Sequence, residues 1–487
     1  MHAPSASPIR TPIARGADLE KSLVAWLRGF DGSRFIAAEF FILVGAACCF
    51  AKVQNDTWWH LAAGREMART GRVMLTDHFS HTAHGAPWAN YEWLTQWIFF
   101  QLHQAGGMPL LVGTCALSLF GACAAAWALM RGPVADRLVI FAFAVALLTP
   151  SWAVRPQAFT LLLLGLTAHL TVRGRHWLLP GLFLVWANLH GAVALGLVVL
   201  LADLLTAAGT RRGVRRRLLA GSLSVGATLL TPLGLSYWPE IVRSLQRSRV
   251  NRISEWQPPI PSADYAIFWL AVAVFAWMIA TRWKRLDAPA DRILVSASLL
   301  MLPLAIRSMR NIGPLALVMA PAISRLAWPG DSPRWADPTQ VRVAGPLVRA
   351  SLVGVSAVAV ILFVIRSWTA NPPPADWVPV SAQAAAAILR CPDPLYNHYN
   401  DGGYLIWFTP GKRVFLDSRQ DLYPVALVQA QIAAERIGSY RALLERYSIN
   451  CAVFNPNAMA LSVLKGSGWR EDFRDSRWVV LLSRERQ

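Results

Sequence analysis

Long apolar stretches separated by short polar connections recur from residue 34 to residue 366, and the pattern changes past residue 372. A helix crossing a bilayer needs about 20 mostly apolar residues, fewer where it is broken or the bundle thins. Eleven segments qualify: 34–54, 108–130, 137–153, 157–172, 177–188, 191–208, 218–238, 264–281, 292–306, 312–328 and 346–366. An odd number places the two ends of the chain on opposite sides of the membrane. The pair 177–188 and 191–208 also reads as one bent hairpin, because Asn188-Leu189-His190-Gly191 interrupts the apolar run with polar groups that need partners. The topology is the same either way.

After residue 372 the period shortens. Pro372-Pro373-Pro374 ends the last apolar helix with a stiff linker, and the alanine-rich stretch 381–390 predicts a helix beyond it. Short β-rich runs at 414–416, 452–454 and 478–482 alternate with helical patterns at 425–447 and 457–465. The prediction is an α-helical polytopic membrane bundle over 34–371, with an N-terminal arm at 1–33 and a first outer loop at 55–106. A small α/β domain over 372–487 follows it.

Composition sharpens this picture. Of 487 residues 55% are apolar and 15% charged, with a mean hydropathy of +0.37, too apolar for ordinary soluble domains and unlike a disordered or collagenous chain. The net charge of +19 would suit a nucleic-acid surface if it were clustered. It is not: residues 372–487 hold 13 Lys+Arg against 11 Asp+Glu, so +17 lies on the apolar part. There the cations fall in the arm (Arg10, Arg15, Lys21, Arg28, Arg34) and in short connections at Arg131 and Arg137, Arg173 and Arg175, the arginines of 211–217, Arg282 to Arg285, and Arg334 and Arg342. Short basic loops stay cytoplasmic. The expectation is a multi-pass protein of the bacterial inner membrane, N-terminus inside and C-terminal domain outside, with no nucleic-acid partner. Residues 1–33 carry no apolar h-region or cleavage site, so the first span is expected to remain as an anchor.

That orientation gathers the unusual polar residues on the outer face. The first outer loop holds Asn55-Asp56-Thr57-Trp58-Trp59-His60, Thr76-Asp77-His78 and Asn90-Tyr91-Glu92-Trp93. Its aromatics predict short helices along the membrane surface, with Trp58, Trp59, Trp88 and Trp93 as interfacial belt residues and His78, His81 and His84 at the surface. Further outer ends carry Arg155-Pro156-Gln157, Asn188 to His190, Ser254-Glu255-Trp256 and Arg307-Ser308-Met309-Arg310. Charged side chains at membrane depth are costly unless paired or hydrated, so they tend to line cavities. A carboxylate takes a proton from a hydroxyl, and a guanidinium grips phosphate oxygens in fork geometry. Together they suit transfer from a lipid phosphate. In the C-terminal domain, Asp417-Ser418-Arg419 follows a predicted strand at the edge where open α/β sheets bind ligands; a helix cap paired with the bundle is the equal alternative. The turn-rich Asn397 to Tyr404 carries two glycines that permit close backbone approach.

The segments NDTWWHLAAGREMARTGRVMLTDHFSHTAHGAPWANYEWL, RPQAF, NLHG, SEWQPP, RSMRN, YNDGGYLIW and VFLDSRQDLY resemble a bacterial group of polytopic proteins. That group looks related to the GT-C superfamily of integral-membrane glycosyltransferases, which includes protein mannosyltransferase-like and lipid A sugar transferase-like enzymes. The resemblance covers most of residues 34–480. It implies a sugar on polyprenyl phosphate as donor, a glycan, lipid or protein acceptor in the envelope, contact with membrane lipids, and an acidic residue just after the first span. Asp56 holds that place, although many relatives have two neighbouring acidic residues where this chain has Asn55-Asp56 and then Asp77. In the inverting transfer it implies, Asp56 is the general base and Asp77 and Glu92 are further catalytic candidates. Arg155, Arg307 and Arg310 bind the donor phosphate, the last two on neighbouring helical positions. His60, His190, Glu255, Asp417 and Arg419 contact substrate.

No CxxC or His-rich spacing marks a metal site; a divalent metal at the outer carboxylates is left open, and no other cofactor is expected. Cys48, Cys49, Cys115 and Cys123 fall in apolar segments, whereas Cys391 and Cys451 lie in the outer domain, where an oxidising compartment permits a disulfide. Nothing resembles a nucleotide-phosphate loop. Other readings are a transporter or flippase for a lipid-linked saccharide, a ligase or polymerase of preassembled glycan, and an envelope scaffold. The absence of an inverted repeat and the one-sided polar groups count against transport, and a scaffold leaves the outer Asp, His and Arg residues unexplained.

Overall fold

A computed structural model describes residues 32–250, 254–286, 288–329, 345–419 and 421–483. Almost all of the arm expected at 1–33, and the loop with Arg334 and Arg342, lie outside the described residues. Every apolar segment is helical: α1 (Gly32–Cys48), α2 (Asn55–Thr70), α3 (Trp93–Leu129), α4 (Val134–Leu148), α5 (Gln157–Val172), α6 (Leu179–Leu189), α7 (Ala194–Thr210), α8 (Val214–Ala227), α9 (Tyr237–Val250), α10 (Ala266–Arg282), α11 (Pro289–Arg307), α12 (Ile312–Ala327) and α13 (Pro346–Trp368). Among the described residues six helical stretches are long and apolar enough to cross a membrane, at 93–129, 134–151, 191–210, 263–285, 289–307 and 347–368. Shorter apolar helices lie at 157–172 and 176–189. The molecule is a multi-pass helical membrane protein; among the described residues six helices have full spanning length, and several of the eleven expected spans correspond to shorter helices.

Burial tells which helices face lipid. Residues 312–326 of α12 are all buried, so this helix forms the centre of the bundle against α11 and α4. On α13 the side chains of Leu347, Val355, Ile361, Leu362 and Phe363 are exposed and apolar, a face made for lipid. At the end carrying the basic loops, buried Asp291 is ion-paired with Arg131 (3.1 Å) and Arg325 (2.5 Å). Two boundaries differ from the apolar pattern. α3 begins at Trp93 and runs through a break at Gly106 and Gly107, where Gly107 adopts φ 65° ahead of Pro109. The segment 218–238 splits, because α8 ends at Ala227 and Pro232 follows in the turn before α9.

The C-terminal unit comprises α14 (Ala382–Arg390), β1 (Leu395–Asn397), α15 (Gly402–Phe408), α16 (Val425–Ile437), α17 (Arg441–Arg446), β2 (Cys451–Phe454), α18 (Ala460–Gly466), β3 (Arg470–Arg474) and β4 (Val479–Leu482). Its sheet has the order β1-β2-β4-β3; β1 runs parallel to β2 with Leu395 opposite Cys451, and the other pairs are antiparallel. Cys391 and Cys451 are joined as a disulfide across a Cα–Cα distance of 5.7 Å. The strand expected at 414–416 is instead a single bridge from Val414 to Ser80, so its partner is the first outer loop. The helix expected over 425–447 breaks at Gly438, which takes φ 72°.

The first outer loop packs into the C-terminal unit. α2 and the segment after it enter the core of the C-terminal unit, where Trp59, Met67, Met74 and Trp88 pack with Leu405, Val414 and Phe415. Trp58, Trp59 and Trp88 are 1%, 6% and 6% exposed, so they are core residues and not a belt. Trp58 meets Phe408 at 4.7 Å between centroids, and Arg419 lies 4.8 Å from the Trp88 ring. Gly403 makes the close approach possible: a Cβ there would stand 2.2 Å from the Asn55 carbonyl oxygen.

Candidate functional site

Backbone hydrogen bonds bring Asp56 to Arg155. Lys52 N donates to Trp152 O (3.2 Å), Val154 N to Lys52 O (2.9 Å), and Thr57 Oγ1 to Val154 O (2.7 Å). Asp56 thereby sits in the first turn of α2, where the helix dipole favours a carboxylate, and Arg155 sits just before Pro156 at the start of α5. The two form an ion pair. Asp56 Oδ1 also accepts from Trp59 Nε1 at 3.2 Å and from Ser418 Oγ. Opposite them, two short turns, 254–256 and 309–311, are stitched together by Ser308 Oγ to Glu255 O (3.1 Å) and Met309 N to Gln257 O (3.0 Å). Glu255 Oε1 lies 3.3 Å from Arg155 Nη1, and its Oε2 lies 3.3 Å from Arg310 Nη1. Burial works to raise the Glu255 carboxyl, but Arg310 and Arg155 outweigh it and hold it below the usual carboxylate range.

These groups border a cavity of about 860 Å³ between the bundle and the C-terminal unit. Gln54, Asp56, Arg155, Glu255 and Arg310 face Tyr399, Asp401, Tyr404 and Arg477 across it. A cleft of about 320 Å³ shares Arg155, Glu255 and Arg310 with this cavity and continues between the apolar side chains of Leu147, Ile267, Phe268 and Ile312. A polar-lined and an apolar space therefore meet at the two guanidiniums. On the far wall, burial pushes Asp401 up to about 6, and its Oδ2 is buried without a hydrogen-bond partner among the described residues.

A third space of about 90 Å³ lies behind Asp56, bordered by His60, Asn90, Glu92, His190, Arg310, Arg419 and Asp421. Burial pushes Glu92 up to about 8 against the pull of Arg310 and Arg155. Burial, reinforced by Arg155 and Arg419, drives His60 well below the ordinary imidazole range. His190 is held at both ring nitrogens: Nδ1 lies 2.7 Å from Thr160 Oγ1, which accepts from Trp186 Nε1 (2.9 Å), and Nε2 lies 3.2 Å from Glu92 Oε1.

Of the residues singled out in the sequence, Asp56, Arg155, Glu255 and Arg310 converge on the large cavity, and His60, Glu92 and His190 line the chamber behind it. Arg307 does not join them. α11 ends at Arg307 and Ser308 is extended (φ −155°), so the helical adjacency expected of Arg307 and Arg310 is absent and Arg307 is exposed at the helix end. Asp77, Asp417 and Arg419 form a separate buried knot. Arg419 Nη2 is 2.8 Å from Asp77 Oδ1 and 2.6 Å from Asp417 Oδ2, while Tyr423 donates to Asp417 Oδ2 at 2.6 Å. Both carboxylates are 0% exposed, so this group clamps the outer loop to the C-terminal unit and does not open onto the cavity. Gln54, Tyr399, Asp401, Tyr404, Ser418 and Arg477 were not anticipated. The glycine pair after Asp401 marked its loop, and the others come together only through long-range packing. Among the described residues no group of three or more His, Cys, Asp or Glu side chains is arranged so that it could hold a metal ion, and Asp56 already faces a guanidinium.

No family model and no curated protein matches the chain. Solved structures do. The archaeal oligosaccharyltransferase AglB from Archaeoglobus fulgidus, in complex with an inhibitory peptide and a dolichol-phosphate, superposes with a TM-score of 0.54 at 11% identity over 86% of this chain and 69% of that one. The apo form of an Archaeoglobus fulgidus oligosaccharyltransferase gives 0.52 at 11% identity, over 88% and 70%. ArnT from Cupriavidus metallidurans bound to undecaprenyl phosphate gives 0.48 at 15% identity, over 92% and 97%. At these identities the likeness to the oligosaccharyltransferases is one of fold.

Proposed function

We propose that the chain is an integral-membrane glycosyltransferase that moves a sugar from a polyprenyl-phosphate donor to an acceptor hydroxyl of an envelope glycan, lipid or protein on the outer face. The observation that carries this reading is one carboxylate, Asp56, set beside two guanidiniums, Arg155 and Arg310, where a polar-lined cavity meets an apolar cleft. An amphiphile with an anionic head fits that junction, its phosphate on the arginines and its chain along Leu147, Phe268 and Ile312. The GT-C fold shared with a dolichol-phosphate complex supports the same donor class.

In the inverting step, the acceptor oxygen forms a bond to the sugar C1 as the C1–O bond to phosphate breaks. The leaving oxygen keeps the bonding pair, neutralised by Arg155 and Arg310, and the hydroxyl proton passes to Asp56. Asp401, Tyr404 and Arg477 line the acceptor side of the cavity. The N-terminus is cytoplasmic and the C-terminal unit extracytoplasmic in this reading, since the basic connections lie at the opposite end of the bundle. Comparing lipid-linked and envelope glycans of cells with and without the gene identifies the product. Membranes carrying Asp56→Asn should then make none of it while retaining normal levels of folded protein; wild-type turnover by that variant ends the assignment.

A further inference from the structure

Glu255 has a geometry that the transfer step does not require. Its carboxylate is spread between two guanidiniums, with Oε1 3.3 Å from both Arg155 Nη1 and Nη2 and Oε2 3.3 Å from Arg310 Nη1. These contacts are longer than the 2.6–2.9 Å bonds that Asp417 makes with Arg419. The side chain of Glu255 is also 36% exposed, against 18% for Arg155 and 22% for Arg310. Its backbone, in contrast, is fixed by Ser308. A loosely held side chain on a firmly held turn is therefore placed at the junction of the polar-lined cavity and the apolar cleft. Two anionic oxygens on one centre, bridging two arginines, are what a phosphate group presents to the same pair.

Arg155 is shared three ways, since it also ion-pairs with Asp56 and reaches Gln54 Oε1 at 3.3 Å. Asp56 is correspondingly occupied on both oxygens, by Arg155 on one and by Trp59 and Ser418 on the other. Arg155 therefore competes with an incoming hydroxyl for Oδ2, the oxygen that neither Trp59 nor Ser418 occupies. Whatever draws Arg155 away from Asp56 makes the base available.

We propose that Glu255 holds the place of the donor phosphate in the resting site. The phosphate displaces its carboxylate from Arg155 and Arg310, draws Arg155 off Asp56, and so frees Asp56 Oδ2 for the acceptor proton only once donor is bound. Glu255 is then a positioning residue that keeps the two guanidiniums spaced and satisfied without donor, and it makes donor binding precede acceptor deprotonation. This inference rests on the donor class given under Proposed function.

The test measures binding of undecaprenyl phosphate to the full chain in nanodiscs by native mass spectrometry, for wild type, Glu255→Gln, Glu255→Ala and Arg310→Gln. Removing an internal anion that competes through exposed ion pairs should tighten binding about fivefold in both Glu255 variants. Arg310→Gln should weaken it at least about tenfold, as loss of a charge-assisted phosphate contact does. A merely structural Glu255 cannot give a gain in affinity. If wild type binds, Arg310→Gln fails to bind, and Glu255→Gln binds equally or more weakly, the placeholder role is overturned while the donor reading stands. If no variant binds, Glu255→Gln included, both fall.

Discussion

Two arginines in this molecule each meet two carboxylates, with opposite outcomes. Arg419 lies between Asp77 and Asp417, all three buried, with contacts of 2.6–2.9 Å and Tyr423 closing the group. Arg155 lies between Asp56 and Glu255 on the wall of a cavity of about 860 Å³, with Glu255 held at 3.3 Å and a second guanidinium, Arg310, on its far side. In the first group both carboxylates are 0% exposed and tied to Arg419, which alone of the three borders the small chamber, and the group joins the outer loop to the C-terminal unit. The second has partners that a ligand can replace. Residue type alone does not separate a structural knot from a binding site; what does is whether each charge is satisfied only by the fold or also faces open space.

Removing Arg419 is the strongest way to test that contrast. Arg419→Gln leaves two buried carboxylates without their cation, and breaking a buried pair costs about 3–5 kcal/mol. The variant should unfold at markedly lower temperature, and its outer loop should become open to proteolysis. Wild-type stability would mean that the knot does not hold the loop.

The next effect probes the same interface through shape. At Gly403 an added Cβ meets the Asn55 carbonyl oxygen at 2.2 Å, and backbone cannot step aside as a flexible side chain does. Gly403→Ala should cost about 1–3 kcal/mol, the range for overpacking, and should displace α15 from α2. A cost no larger than that of Ala substitution at Gly209, which has open space around it and no left-handed φ, would contradict the close packing.

Much of this division was readable in the chain, and the unread part has a common cause. The apolar periodicity located most of the bundle helices, though not the start of α3 or the division of 218–238 into α8 and α9, because each must bury or expose a hydrocarbon face over many residues, a signal carried locally. Asp56, Arg155, Glu255 and Arg310 were legible as charges at helix ends on one face. Asp77 and Arg419 offered the same local signal, and only their meeting across 342 positions of chain reveals that they neutralise each other. Trp58 and Trp88 likewise looked like belt residues, since an aromatic beside a span has the same composition whether lipid or a folded domain covers it. Val414 to Leu416 showed strand propensity but not the identity of its partner, which is Ser80 and not the sheet.

On the open side of the comparison, charge removal should hardly affect folding. Arg310 is 22% exposed and its contact with Glu255 is a partly solvated pair, so Arg310→Gln should change stability by less than about 1 kcal/mol. Measured beside Arg419→Gln in the same detergent, it should unfold close to wild type. A loss as large as that of Arg419→Gln would show that the cavity wall is structural too.

The subtlest effect concerns the chamber between the two regions, which shares Asp56, Arg155 and Arg310 with the open site and Arg419 with the knot. Burial raises Glu92 to about 8, whereas an unfolded chain gives up this proton near the ordinary value of about 4.3. Between those limits the folded state binds more protons than the unfolded one, so this group makes stability fall as pH rises and costs nothing below about pH 4. Asp401, raised to about 6 by burial, slopes the same way, while Asp77 and Glu255, which are held low, slope in the opposite sense at lower pH. All of these remain in Glu92→Gln, so the difference between variant and wild type isolates Glu92. The two proteins should have similar unfolding temperatures near about pH 4, and the variant should gain steadily on wild type up to about pH 8. Parallel profiles would mean that Glu92 is ionised in the folded chamber, stabilised there by Arg155 and Arg310; the small space would then belong electrostatically to the open site instead of separating it from the knot.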